Sequence, residues 1–171
     1  MKSLVQVSLM TGLLLLVSAC GWQLRGHVAL GQDIGTLHVS SPDAELLRDL
    51  KQALRRNDIT LSESNADADY NLSLQAMRFD RRTAAVGSQI LAAEYELNMQ
   101  VDYQIAQLKT AESQKPYVDG ARASTIRSYA YDPNNTLGKD QEERQLRREM
   151  RSEIVQQILR RLALISQNNE D

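Results

Sequence analysis

The chain has 171 residues, 42% hydrophobic, 5% aromatic and 25% charged, with 20 Lys and Arg against 22 Asp and Glu and a net charge of −2. That length suits one ordinary domain or at most two small ones. The near-neutral balance excludes a dedicated nucleic-acid binder, which carries a basic excess, and a mean hydropathy of −0.43 excludes a polytopic membrane protein. Cys20 is the only cysteine, so neither an intrachain disulfide nor a thiolate metal cluster can form.

The apolar excess sits at the N-terminus. Lys2 precedes an apolar run from Leu4 to Ala19 whose centre is Leu13 to Val17. Spanning a bilayer takes ~20 apolar residues, and this run is shorter and interrupted by Gln6, Ser8 and Thr11. It reads as a secretory signal over residues 1–19. The signal ends Val17-Ser18-Ala19-Cys20, which resembles the bacterial lipobox. Cys20 is therefore expected to carry a diacylglyceryl group on sulfur and a third acyl chain, commonly palmitoyl, on its new amine. At ~0.8 kcal/mol per buried methylene, three chains anchor a protein essentially permanently. Gly21-Trp22, with no Asp after the cysteine, implies sorting to the outer membrane. Trp22 is a candidate for the lipid interface.

Residues 20–35 contain four glycines and little periodicity, and read as a lipidated tether. A single domain is expected over 36–165 and a flexible tail over 166–171. Ile34, Leu37 and Val39 mark a first strand. Ser41-Pro42-Asp43 predicts a helix start, with Ser41 as hydroxyl cap and Pro42 at the first helical position. Leu46, Leu47, Leu50, Ala53 and Leu54 form its apolar face, Arg55 and Arg56 suit its C-terminal end, and Asn57 is the expected left-handed cap.

Ile59 to Leu61 reads as a strand fragment and Ser62 to Asp69 as a polar loop. Tyr70, Leu72, Leu74 and Ala76 then alternate, and the phase flips to Met77 and Phe79. That flip predicts a bulge or bend near Ala76. Gly87-Ser88-Gln89 reads as a turn. Tyr95, Leu97, Met99, Val101, Tyr103 and Ile105 alternate with polar residues, as in a strand covered on one face. Lys109 to Pro116 leads to a strand over about Tyr117 to Tyr131. Asp132-Pro133-Asn134-Asn135 breaks the sheet. A long helix follows over about Asp140 to Ile165, with Leu146, Met150, Ile154, Ile158 and Leu162 on one face and Glu143–Arg147 as an i,i+4 pair. The expected class is α+β, a four-stranded mixed sheet with two α-helices packed on one face in the order β-α-β-β-β-α.

Cys20-Gly21-Trp22-Gln23-Leu24-Arg25-Gly26 resembles the opening of the mature LptE family, the lipopolysaccharide-assembly lipoproteins. Ala93-Glu94-Tyr95, Arg127-Ser128-Tyr129 and Leu137-Gly138-Lys139-Asp140 also fit, and the similarity covers essentially the whole mature chain. The resemblance implies an outer-membrane location, an LptD-type β-barrel as partner and lipopolysaccharide as ligand. The domain would sit on the periplasmic side and in the barrel lumen as a plug that assists barrel assembly. It also implies that Lys139 touches lipopolysaccharide, since the family carries a lysine at the matching place. A phosphate-bearing ligand favours Arg and Lys. The family often has a second base in the turn before the long strand. Here Gly87-Ser88-Gln89 has none, which leaves Arg81 or Arg82 as substitutes, with Arg127 as a further candidate. The plain alternative for these arginines is a solvated basic face.

Enzyme readings fail on inventory: there is no GxSxG, Walker loop, HExxH or dinucleotide fingerprint. Glu94 and Glu96 lie on the wet strand face, His27 and His38 are too few and too separated for a metal site, and no cofactor is expected. The competing function is a lipid-anchored periplasmic binding module of another envelope assembly.

Overall fold

In a computed structural model, residues 34–86, 92–109, 118–132 and 136–168 are described. They run β1 (Thr36–Ser40), α1 (Ala44–Arg56), β2 (Thr60–Ser62), β3 (Tyr70–Leu74), β4 (Arg78–Val86), β5 (Ala92–Gln107), β6 (Val118–Ala130) and α2 (Thr136–Asn168). The expected signal, Cys20, Trp22 and the Gly87–Gln89 turn lie outside the described residues.

The alternating segment becomes β5, the spine of the sheet. β6 pairs antiparallel along one edge of it, and β3 and β4 pair antiparallel along the other. β3 and β4 lie end to end. Leu74 faces Tyr103, whereas Arg78 faces Gln100, so the β3–β4 segment carries one residue more than β5 between these pairs. The Gln75 N–H donates to the Asp102 carbonyl at 2.8 Å within this irregularity. An inserted residue returns the chain to the same face after a phase change, which is the physical basis of the flip at Ala76–Met77. β1 lies parallel to β3 on its far side, and the three-residue β2 pairs parallel with β1 after the α1 crossover. The sheet thus has six strands rather than four. The four expected ones are β1, the bulged β3–β4 run, β5 and β6; the Ile59–Leu61 fragment adds β2.

Directly opposed residues point to the same side of a sheet. Leu37, Tyr70, Leu72, Ile105, Tyr103, Val101, Met99 and Leu97 consequently form one apolar face, and all are buried. Leu46, Leu50 and Leu54 of α1 and Met150, Ile154, Ile158, Leu159 and Leu162 of α2 complete a single core cluster with them. Each such fully buried side chain contributes about 1.5–3 kcal/mol relative to exposure. Arg151 of α2 bridges Glu45 at 2.7 Å and Asp49 at 2.8 Å on α1, fixing one helix against the other. Gln157 of α2 closes the outer edge of β6. Its Oε1 accepts from the Ser124 N–H at 3.1 Å and its Nε2 donates to the Ser124 carbonyl at 2.9 Å, replacing a further strand.

Three local expectations shift. The α1 cap is Asp43, whose carboxylate accepts the Leu46 N–H at 2.8 Å; Ser41 Oγ instead accepts from the Asp43 N–H. Pro42 therefore precedes the cap, because the charged acceptor lies three residues before a free helix N–H. The left-handed residue after α1 is Asp58, at φ 59°, whereas Asn57 spends its side-chain amide on the Ala53 carbonyl. α2 begins at Thr136, so Lys139 lies in its first turns, and it continues to Asn168. Among the described residues no helix is long and apolar enough to cross a membrane.

Candidate functional site

The register places Arg81 of β4 and Arg127 of β6 on either side of Leu97. Two strand spacings separate them, about 10 Å, and both point to the helix-bearing face. α2 crosses this end of the sheet and supplies a carboxylate to each. Arg127 Nη2 meets Glu153 Oε2 at 2.6 Å, and the same oxygen accepts from Thr125 Oγ1 at 2.8 Å. Arg81 Nη1 donates to Glu143 Oε2 at 2.9 Å. Arg82 points the other way, as the next residue on a strand must. It pairs with Glu96 at 2.6 Å on the helix-free face. Lys139 Nζ donates to Glu142 Oε2 at 2.8 Å, one helical turn before Glu143. The structure thus brings Arg81 and Arg127 to one face beneath α2, sets Lys139 on α2 one turn before Glu143, and leaves Arg82 on the opposite face.

Glu143 is the hub. It is buried, and besides Arg81 it accepts from Tyr129 Oη at 2.6 Å and from Arg147, whose Nε lies at 3.1 Å and whose Nη2 also donates. Burial alone pushes this carboxyl up. Hydrogen bonds from Tyr129, Arg147 and Arg81 outweigh burial and hold it down at about 2. The Tyr129 hydroxyl moves the opposite way, up to about 12, through burial and its bond to the Glu143 carboxylate. Aromatic faces fix the two guanidiniums: Arg81 lies 4.9 Å over the Tyr95 ring and Arg147 lies 3.8 Å over Phe79. Tyr95 in turn contacts the rings of Tyr129 and Tyr131.

At the opposite end of the sheet a second carboxylate pins the start of the domain. Asp69 Oδ2 accepts from the Thr36 N–H and Thr36 Oγ1, each at 2.7 Å, and Lys109 pairs with Oδ1 at 3.0 Å. The Thr36 bonds, backbone first, with help from Lys109, lower its pKa to about 2. A carboxyl lowered on folding stabilises the fold fully above its unfolded pKa and loses that contribution as pH falls through the folded value. Stability is therefore expected to be level above about pH 5 and to fall between about pH 4.5 and pH 2. Urea midpoints across that range check this, and Glu143→Gln should remove on the order of 3 kcal/mol of the fall. A midpoint that does not move between neutrality and pH 2.5 would contradict it.

Sequence reasoning saw Glu143 and Arg147 as a helix pair but not as the anchor of Arg81. Glu143 is 62 residues from Arg81 in sequence, and only the crossing of α2 over β4 unites them. Among the described residues no group of three or more His, Cys, Asp or Glu side chains is arranged to hold a metal ion. The arrangement offers ion pairing and hydrogen bonding from cations rimmed by tyrosines, the chemistry of anion binding.

Known proteins share this architecture. The chain is 28% identical over 162 residues to the LPS-assembly lipoprotein LptE of Photorhabdus laumondii, covering 93% of this chain and 86% of that protein. It is also 28% identical over 167 residues to the protein of the same name from Pectobacterium atrosepticum, covering 95% and 88%. The crystal structure of rare lipoprotein B from Shewanella oneidensis superposes with a TM-score of 0.69 at 27% identity, over 80% of this chain and 100% of that one. The sequence profile of LptE, described as lipopolysaccharide-assembly, matches residues 34–162. That span runs from the residue before Gly35, through every strand and α1, to the last core turns of α2, so the whole helix-covered sheet is matched, and the chain belongs to the LptE lipopolysaccharide-assembly family.

Proposed function

We propose that this LptE-family chain is an outer-membrane lipoprotein, held by acyl chains on Cys20, that plugs and helps assemble an LptD-type β-barrel and contacts lipopolysaccharide on its way to the outer leaflet. The observation that carries the reading is the family match over the entire domain, from β1 into α2. The helix-free face supports a luminal position. Arg78 and Arg122 share Asp102 there, and Arg82 pairs with Glu96, so the face is charged and wet, as the polar interior of a barrel requires. Arg81, Arg127 and Lys139 on the other side supply cations suited to phosphate. The protein acts by binding, with no catalytic step.

Affinity capture of the lipidated protein from solubilised outer membrane tests the reading. A large β-barrel and lipopolysaccharide should be recovered together. Recovery of a soluble periplasmic enzyme as sole partner would overturn the reading. Lys139→Asp should weaken lipopolysaccharide capture about tenfold, the scale of one charge-assisted contact, while barrel recovery stays unchanged. An acid near a helix N-terminus suits the dipole, so the fold should tolerate the exchange. Equal lipopolysaccharide capture by both proteins would remove Lys139 from the site.

A further inference from the structure

Two guanidiniums converge on one buried acid at the α2 end of the sheet. Arg81 and Arg147 retain 48% and 45% side-chain exposure, whereas Glu143 between them retains 8%. The anion therefore lies beneath and the cations above it, and the Arg81–Glu143–Arg147 group carries one net positive charge. A guanidinium has five N–H donors. Arg81 commits Nη1 to Glu143, and Arg147 commits Nε and Nη2. The remaining donors of both belong to side chains already held by a carboxylate and an aromatic ring. Side chains so restrained lose little rotamer freedom on binding, which is what favours a bidentate contact to a tetrahedral oxyanion.

The other arginines of the sheet lack this build. Arg127–Glu153 and Arg82–Glu96 are one-to-one pairs with no surplus charge. Arg78 and Arg122 do share Asp102, but that carboxylate is 34% exposed, and among the described residues neither guanidinium is laid on a ring.

We propose that Arg81 and Arg147 form a two-guanidinium site for a phosphate monoester on a sugar, and that Glu143, braced by Tyr129, is its positioning residue. The site rests on the geometry. The identification of the ligand as a phosphorylated glycolipid rests on the lipopolysaccharide reading above. Glu143 acts against its own charge sign. As an anion it repels phosphate, yet it keeps both forks aimed outward.

The sign of that effect makes the test sharp. Binding of purified lipopolysaccharide, of the same material after enzymatic dephosphorylation, of glucosamine 1-phosphate and of inorganic phosphate is measured with the full-length lipidated protein in detergent. The parent should bind lipopolysaccharide about tenfold tighter than its dephosphorylated form, and the sugar phosphate tighter than inorganic phosphate. Arg81→Lys and Arg147→Lys, which keep the charge and lose the fork, should each weaken lipopolysaccharide binding about fivefold to tenfold. Glu143→Gln adds one positive charge, so simple electrostatic attraction would tighten binding. Positioning requires it to weaken, because the two arginines hold different oxygens of Glu143, and a carboxamide turns one of those acceptors into an NH2 donor that faces an arginine. Unchanged or tighter binding by Glu143→Gln, or unchanged binding by both Lys variants, overturns the proposal. A parent that binds glucosamine 1-phosphate with this variant pattern but ignores lipopolysaccharide keeps the site and overturns the lipopolysaccharide reading instead.

Discussion

Leu97→Ala is expected to destabilise the domain by about 3–5 kcal/mol, a large share of the stability of a domain this size. Leu97 is completely buried on β5, flanked by β4 and β6, in the core cluster that the apolar residues of α2 complete. β5 pairs with β4 on one side and β6 on the other, so neither neighbour can move inward to fill the space without breaking ladder bonds. A site that cannot collapse gives the upper part of the large-to-small range. The loss also reaches the basic row, because Arg81 and Arg127 are the two residues directly opposite Leu97. Urea unfolding at neutral pH measures the loss. Leu164→Ala on the exposed face of α2 is the control and should move the midpoint little. A Leu97→Ala midpoint within the range of that control would refute this account of the core.

Gly35→Ala is expected to cost about 2–4 kcal/mol, from a disfavoured backbone and lost hydrogen bonds together. Gly35 has φ of +25°, and a Cβ there would lie 2.3 Å from Asp69 Oδ2 and 2.9 Å from Asp69 Cγ. The carboxylate must move, and it cannot do so while accepting from Thr36 N and Oγ1 and pairing with Lys109. Gly35 also stands at the end of the expected tether, where the chain joins β1. Loss of the clamp frees the start of β1. Two measurements separate this from a general loss. The urea midpoint at pH 7 should fall, and the part of the acid-induced fall due to Asp69 should vanish, since its low pKa depends on the Thr36 bonds. Thr36→Val removes only one of these bonds and should show a smaller version of both effects. A Gly35→Ala protein with the parent's midpoint and acid profile would show that the contact carries no energy.

Much of the fold was legible because its signals are local. The six alternating apolar residues from Tyr95 to Ile105 specify a strand covered on one face whatever it pairs with. The phase change at Ala76–Met77 records an inserted residue, and the structure has it between Leu74 and Arg78. Helix termini were less legible. Ser41 and Asp43 are both good caps by type, and the choice depends on which oxygen reaches a free N–H. The same holds for Asn57 and Asp58, where the neighbour of the expected residue turns left-handed. β2 is three residues long and too short for a period, so only its pairing with β1 makes it a strand.

The candidate site divides along the same line. Arg81 and Arg82 are equivalent in sequence, adjacent and alike in type. Strand alternation sends one beneath α2 and the other to the open face. Glu143 shows an ordinary helix pairing with Arg147 and nothing to mark it as buried. Its depressed pKa and its grip on Arg81 arise only when α2 crosses β4 and brings together groups 62 residues apart.

By itself, the sequence determined the long strands and both helices, the α+β class and the family resemblance, and with a single cysteine it excluded an intrachain disulfide. Those properties depend on residue type, period and position along the chain. The tertiary structure alone decided which cations share a face, which carboxylate is removed from water, and where two guanidiniums meet over one acid. Such properties depend on the register between strands and the crossing of a helix over them, which distant contacts set together and no short stretch of sequence encodes.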